Sequence, residues 1–336
     1  ALTDRPDVEI RETFLDLTGK GASLRAGRQV VTWGVGDLLF TNDIFPKDWV
    51  AFFTGRPLEY LKLGSDAIKL DLHPRAFDAE IIVMPSFQPD RYPTPDKLVL
   101  PDPFPPGLPR LVQDPERSVR NLEFAGRISR YVSDWGLSLY ASRTYYRTPA
   151  MALDDATAPT AVIEFFPRLR TYGVSATGSF LGGVGSLEGA YWDSEEDRLG
   201  TNPAIENSKL KSLAGYTCPL WKEATLGLQG YLDWTLDHDA YRASLPPGYP
   251  ILSERRWTAT LRLTQFLRNQ TVTGNLFMFW GVTEDDGYLI PSARYAATDN
   301  VSVELGANVF FGRESHTLFG ALDENDNLYA TMRYSF

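Results

Sequence analysis

The sequence predicts an all-β protein, and within that class a transmembrane antiparallel up-and-down β-barrel of about 14–16 strands. Three observations lead there. Apolar and polar residues alternate over long runs, short turns alternate with long loops, and aromatic residues gather at strand ends.

The alternation is clearest toward the C-terminus. Ala224, Leu226, Leu228, Gly230, Leu232 and Trp234 alternate with Thr225, Gly227, Gln229, Tyr231, Asp233 and Thr235. Val301, Val303, Leu305, Ala307, Val309 and Phe311 alternate with Ser302, Glu304, Gly306 and Asn308. Leu328, Ala330, Met332, Tyr334 and Phe336 alternate with Tyr329, Thr331, Arg333 and Ser335. Successive side chains on a strand point to opposite faces, so each run makes one apolar and one polar face. Runs of about 10–12 residues suit a tilted membrane crossing and exceed the usual soluble strand of about 5–6.

In chain order the strands read 8–18, 22–33, 61–73, 77–87, 121–132, 137–148, 169–180 and 184–193, then 208–218, 224–235, 256–267, 271–282, 287–297, 301–312 and 327–336. The first half alternates less cleanly: Val8 and Ile10 share a parity with Glu12 and Asp16. The number is odd, whereas bacterial single-chain barrels are normally even. The expectation is therefore one overlooked strand, or one upstream of the sequence in the natural chain.

Arg268-Asn269-Gln270 and Thr298-Asp299-Asn300 read as short periplasmic turns, and 236–254 and 313–326 as long extracellular loops. Tyr191-Trp192, Trp234, Trp257, Trp280, Tyr295 and Phe311 are placed where a girdle would meet the lipid headgroups. The whole chain, 1–336, reads as one domain.

Composition narrows the classes. The chain has 336 residues, 43% of them hydrophobic, and a formal charge of −10. Its mean hydropathy of −0.24 resembles a soluble protein, and no run approaches the roughly 18 apolar residues of a transmembrane helix. Alternating strands average to such a value, so a membrane barrel is compatible with it. The acidic balance argues against nucleic acid. Cys218 is the sole cysteine, so neither an intrachain disulfide nor a Cys-based metal site can form. Ala1-Leu2-Thr3-Asp4 lacks the charged start and apolar core of a signal peptide. That leaves a cytosolic chain or a processed mature one, and the strand pattern points to the second, in the bacterial outer membrane.

One strand carries a resemblance. Leu24-Arg25-Ala26-Gly27-Arg28-Gln29-Val30-Val31-Thr32-Trp33-Gly34 resembles the L-R-x-G-R-Q-x-x-x-W-G strand of large porin-like families, including alginate-export-type barrels. The ending Tyr334-Ser335-Phe336 looks like the terminal signature read by the barrel assembly machinery. The first resemblance implies a porin-like barrel, and the second an outer-membrane client. Neither implies a solute.

The expected function is passive diffusion of small polar solutes, anionic ones among them. Residues 35–60 are too apolar for a free extracellular loop and are expected to fold into the mouth as a constriction carrying Asp37, Phe40, Asp43, Phe45, Trp49, Phe52 and Arg56; packing on the rim or on a partner is the alternative. Residues 88–119 carry Pro89, Pro93, Pro95, Pro101, Pro103, Pro105, Pro106, Pro109 and Pro115, which should keep this extracellular loop out of the sheet as a lid, a docking arm or a cover. The polar parity puts Glu123, Arg127, Glu188, Asp233, Arg256, Arg262, Arg294, Glu304 and Arg333 on the lumen wall. Arginines beside carboxylates there favour small polar or anionic solutes.

No catalytic residue, cofactor or metal is expected. His73, His238 and His316 stand apart, and no nucleophile elbow, zinc helix, EF-hand run or haem motif occurs. The expected partners are outer-membrane lipid and lipopolysaccharide and the barrel assembly machinery through the last strand, with a second copy or a protein partner left open. The other functional reading is a scaffold that docks or sheathes an electron-transfer or surface partner.

Overall fold

A computed structural model of the protein describes residues 9–94 and 97–336. The readings of residues 1–4, Val8 and Pro95 lie outside them. The chain enters through β1 (Thr13–Gly19) and β2 (Ala22–Val30), passes a short helix α1 (Trp49–Phe53), and returns through β3 (Gly64–Leu72) and β4 (Asp78–Met84). After β5 (Arg110–Gln113) come β6 (Glu123–Val132), β7 (Trp135–Tyr145), β8 (Ala150–Leu153) and β9 (Val162–Phe165). Then follow β10 (Arg168–Phe180), β11 (Gly183–Ser194), β12 (Lys209–Pro219) and β13 (Ala224–Thr235). Helix α2 (His238–Ser244) leads to β14 (Arg255–Leu267), β15 (Val272–Gly281), β16 (Asp286–Ala296), β17 (Val301–Phe311) and β18 (Asn327–Tyr334).

Fifteen of these strands form one antiparallel sheet in chain order, leaving out only β5, β8 and β9. All fifteen correspond to strands read from the sequence, with ends moved by a few residues: the predicted 8–18 begins at Thr13, and 61–73 becomes Gly64–Leu72. Among the described residues β1 pairs with β2 alone and β18 with β17 alone, so no ladder joins the two edges. The edges nevertheless meet one residue. Arg11, just before β1, donates to the Glu59 carbonyl, and Arg333 of β18 pairs with the Glu59 carboxylate. The sheet therefore curls until both edges flank the same segment.

At one end of the strands the turns are tight. Leu181 and Gly182, between β10 and β11, have φ of 46° and 79°, the two positive values that a hairpin turn needs to match the strand twist. At the other end the connections are long, as expected, except 282–285 between β15 and β16.

Curling gives the sheet two unlike faces. Leu139 of β7 and Leu305 of β17 point outward and are 60% and 61% exposed, while Tyr140, next to Leu139, points inward and is 7% exposed. Leu15, Ile68, Ile81, Ile128, Val174, Leu187, Leu228 and Met332 are likewise exposed on the convex face. Of the expected girdle, Tyr191, Trp257, Trp280, Tyr295 and Phe311 lie outward and exposed. Trp192 does not: its Nε1 donates inward to the Thr41 carbonyl at 3.0 Å. Adjacent residues on a strand cannot share a face, so pairing it with Tyr191 was wrong.

The Arg-Ala-Gly-Arg-Gln strand binds its neighbours through the residues that make it distinctive. Arg25 forks onto Asp16 of β1 at 2.7 and 2.8 Å. The Gln29 amide, buried, donates to the Ala67 carbonyl of β3 at 3.0 Å. Gly27 has φ 130°, and a Cβ there would run into the backbone of Thr13 and Phe14. Glycine is required by that close approach.

The proline-rich segment stays out of the main sheet, as expected, and part of it forms a small sheet apart. Arg110–Gln113 pairs in parallel with β9 in a small sheet completed by β8. No proline lies within 110–113, so its backbone donors are free to pair. Further back, Leu98 is buried in the main apolar cluster, and Val99 exchanges hydrogen bonds with the Asn325 side chain at 2.6 and 2.8 Å.

Candidate functional site

Residues 31–63 run from β2 to β3 through the hollow of the sheet. Their apolar side chains explain the course, because they need cover that a free loop cannot give. The Asp48 side chain accepts the Ala51 N–H at 2.9 Å and caps α1. The helix then delivers Phe52 and Phe53 against Phe279, Tyr288 and Phe310 of β15, β16 and β17. The Tyr288 hydroxyl donates to Asn308 at 2.6 Å and lies 3.0 Å from the Phe52 carbonyl. A second cluster seats Trp33, Ile44 and Phe45 on Ile82, Met84, Ala125 and Tyr140. At these two clusters the inward-facing parity of the wall is therefore aromatic and apolar.

Polar anchors fix it all round. The Glu188 carboxylate of β11 accepts the N–H groups of Val35 and Gly36 and the Asn42 amide, the last two at 2.7 and 2.9 Å. Asn42 fits because Gly173 of β10 lies beneath it, where a Cβ would collide with its amide oxygen. Asp37 pairs with Arg262 of β14 and its N–H donates to Gln229 of β13 at 3.1 Å. Trp33 donates to Glu80 of β4. These partners span the sheet from β4 to β14.

Charge inside the segment is also matched. Asp43, 2% exposed, pairs with Lys47, 3% exposed, at 3.0 Å and with Lys62. Burial would raise the Asp43 carboxyl, but the two ammonium groups overcome it and hold it below the usual carboxylate range. Burial pushes the Lys47 ammonium down, partly offset by Asp43. Asp90 accepts the Lys47 N–H at 2.7 Å and the Trp49 indole at 2.8 Å.

The residues assigned to the wall from sequence parity occupy four settings. Glu123 pairs with Arg147 at 2.9 Å, and Arg127 lies 3.6 Å from Glu80. Glu188 is an anchor. Asp233 and Arg256 pair at 2.7 Å and line a cavity of about 390 Å³ with Phe40, Asp43, Phe45 and Trp49. Arg262, Arg294, Glu304 and Arg333 line a second cavity of about 330 Å³, with Arg56 and Glu59 from the inward segment. Phe52 borders both. Arg56 and Arg294 are exposed in this second cavity, and neither forms an ion pair among the described residues.

Toward the tight-turn end, the concave face carries Lys69, Asp71, Arg127, Ser129 and Ser138, all partly exposed. Sequence reasoning missed Lys211, Trp192 and Tyr231, which share the larger cavity. Lys211 and Tyr231 were legible as inward by parity. The histidines are dispersed: His73 contacts Asp78 at 2.8 Å, His238 the Leu252 carbonyl at 2.8 Å, and His316 Glu314 at 3.8 Å. Among the described residues no cluster of three or more His, Cys, Asp or Glu could hold a metal ion, and no helix is long and apolar enough to cross a membrane.

No family model matches the chain, and no curated protein matches it.

Proposed function

We propose that this protein is a bacterial outer-membrane β-barrel channel that passes small polar solutes, anions in preference, around an inward-folded constriction. The observation that carries the reading is the inversion of the sheet's faces: broad exposed apolar surface outside, charge inside. A water-soluble curled sheet would solvate its convex face, whereas lipid demands the reverse. Charges on that face lie near strand ends, as with Arg143 and Arg170 sharing Glu195 at 3.1 and 3.0 Å. Outer-membrane lipid and lipopolysaccharide would then be its surroundings.

Anion preference rests on the smaller cavity. Four arginines (Arg56, Arg262, Arg294 and Arg333) line it against Glu59 and Glu304. Unpaired guanidinium groups in a low-dielectric passage attract anions and repel cations. Leu328, Ala330, Met332 and Tyr334 of β18, with Phe336 beyond it, fit an assembly-machinery client. No step here calls for a catalytic residue or a cofactor.

Reconstitution into lipid vesicles tests the channel against the scaffold reading. Vesicles holding the pure protein should swell in small polar solutes. Tight vesicles, together with co-purification of one stoichiometric partner, would instead support a docking barrel. Most of the apolar side chains of segment 35–60 pack inward, while Leu58 and Tyr60 stay exposed.

A further inference from the structure

The larger cavity lies between the inward segment and the wall of β11 to β14. At about 390 Å³ it falls within the roughly 300–1,000 Å³ of small-molecule sites. Part of its lining is aromatic: Phe40 and Trp49 come from the inward segment, Trp192 and Tyr231 from the wall, and Tyr146 from the end of β7. The rest is charged.

Five cations line the cavity, Lys47, Arg147, Lys209, Lys211 and Arg256, with four carboxylates, Asp43, Asp90, Glu206 and Asp233. Four of the cations are engaged. Lys47 holds Asp43 at 3.0 Å, Arg147 holds Glu123 at 2.9 Å, Lys209 holds Glu206 at 2.7 Å and Arg256 holds Asp233 at 2.7 Å. Lys211 is different. Among the described residues it has no carboxylate within ion-pairing distance, and its ammonium sits 3.3 Å from the centroid of the Trp192 ring. Nearby, the Tyr146 hydroxyl is buried without a well-formed hydrogen bond, in a side chain 5% exposed. An ammonium held against a ring with no carboxylate in direct contact, and a buried hydroxyl without a well-formed hydrogen bond, both gain from an added acceptor in an enclosed site.

We propose that this cavity binds a small aromatic monocarboxylate, its carboxylate on the Lys211 ammonium and the Tyr146 hydroxyl, its ring among Trp192, Trp49 and Tyr231. Lys211, the one lining cation outside a close ion pair among the described residues, offers its ammonium to one carboxylate. The aromatic walls supply stacking and edge-on contacts that an aliphatic acid would use less well. The inference deepens the channel reading by naming a solute class, but binding does not require conduction.

The test is equilibrium binding to the full-length protein in detergent, with benzoate, benzamide and acetate as probes. Benzoate should bind saturably. Benzamide, which lacks the charge, and acetate, which lacks the ring, should each bind at least about tenfold more weakly. Lys211→Met should weaken benzoate by a similar factor, and Lys211→Arg should restore most of the affinity. Equal binding of benzoate and benzamide, no saturable benzoate binding, or a folded Lys211→Met protein with unchanged affinity would overturn the proposal. The wild-type comparison decides even where the variant does not fold. A conducting channel without benzoate binding would sink this inference alone. Benzoate binding by a protein that never conducts would sink the channel reading alone.

Discussion

The Glu188 carboxylate accepts the N–H of Gly36 at 2.7 Å, joining residues 152 positions apart in the chain. With the Asn42 amide it pins the inward segment to β11. Glu188→Ala strands the N–H groups of Val35 and Gly36, each at a cost of about 1–3 kcal/mol if they stay buried. The segment should loosen: proteases should cut within 35–60 sooner, and single-channel conductance should rise. Unchanged cleavage and unchanged conductance would mean that Glu188 is no anchor.

The Asp43–Lys47 pair is buried on both sides. Lys47→Met leaves Asp43 with Lys62 alone and should cost about 3–5 kcal/mol, measured by denaturant unfolding. Adding Asp43→Leu should recover much of that loss, because removing both charges removes the desolvation penalty. Additive losses in the double variant would contradict the pairing.

Acid should act on the same group. Because the folded state holds the Asp43 carboxyl below its ordinary value, its contribution is complete above the unfolded carboxylate range, about pH 4, and fades as pH falls through the depressed folded value. Acid unfolding of Asp43→Asn should be shallower over that window than that of the parent. Superimposable acid titrations would show that Asp43 contributes no such linkage.

The convex face offers a test that separates lipid from water. Leu139→Arg or Leu305→Arg should hinder folding into vesicles by about 2–4 kcal/mol if the residue lies near the bilayer centre. A protein that folds in water would tolerate either change on so exposed a position within about 0.5 kcal/mol.

Much of the fold was legible because its signal is local. Alternation marked the C-terminal strands clearly and the N-terminal ones less cleanly, and parity sent Glu123, Glu188, Asp233 and Arg262 inward. The apolar content of 35–60 was enough to predict that it would not stay in solvent. What was not legible depends on pairs remote in sequence: Glu188 with Gly36, Asp37 with Arg262, Glu59 with Arg11 and Arg333. Aromatic residues on the concave face, such as Phe279 and Tyr288, ran against the rule that this face is polar, because segment 31–63 replaces water there. Trp192 misled for a related reason: its residue type suits a girdle, but its parity points inward to Thr41.

Arg56 and Arg294 carry the predicted selectivity. Replacing both with glutamate reverses four units of charge beside the inward segment and should move the reversal potential toward cations. A selectivity that ignores both changes would place the solute path elsewhere.

Planar-bilayer recording of the pure, full-length protein in a salt gradient tests the central claim most directly. The account predicts discrete conductance steps with a reversal potential displaced toward the anion equilibrium potential. A bilayer that stays silent under conditions where a known porin inserts, or steps that favour cations, would contradict it.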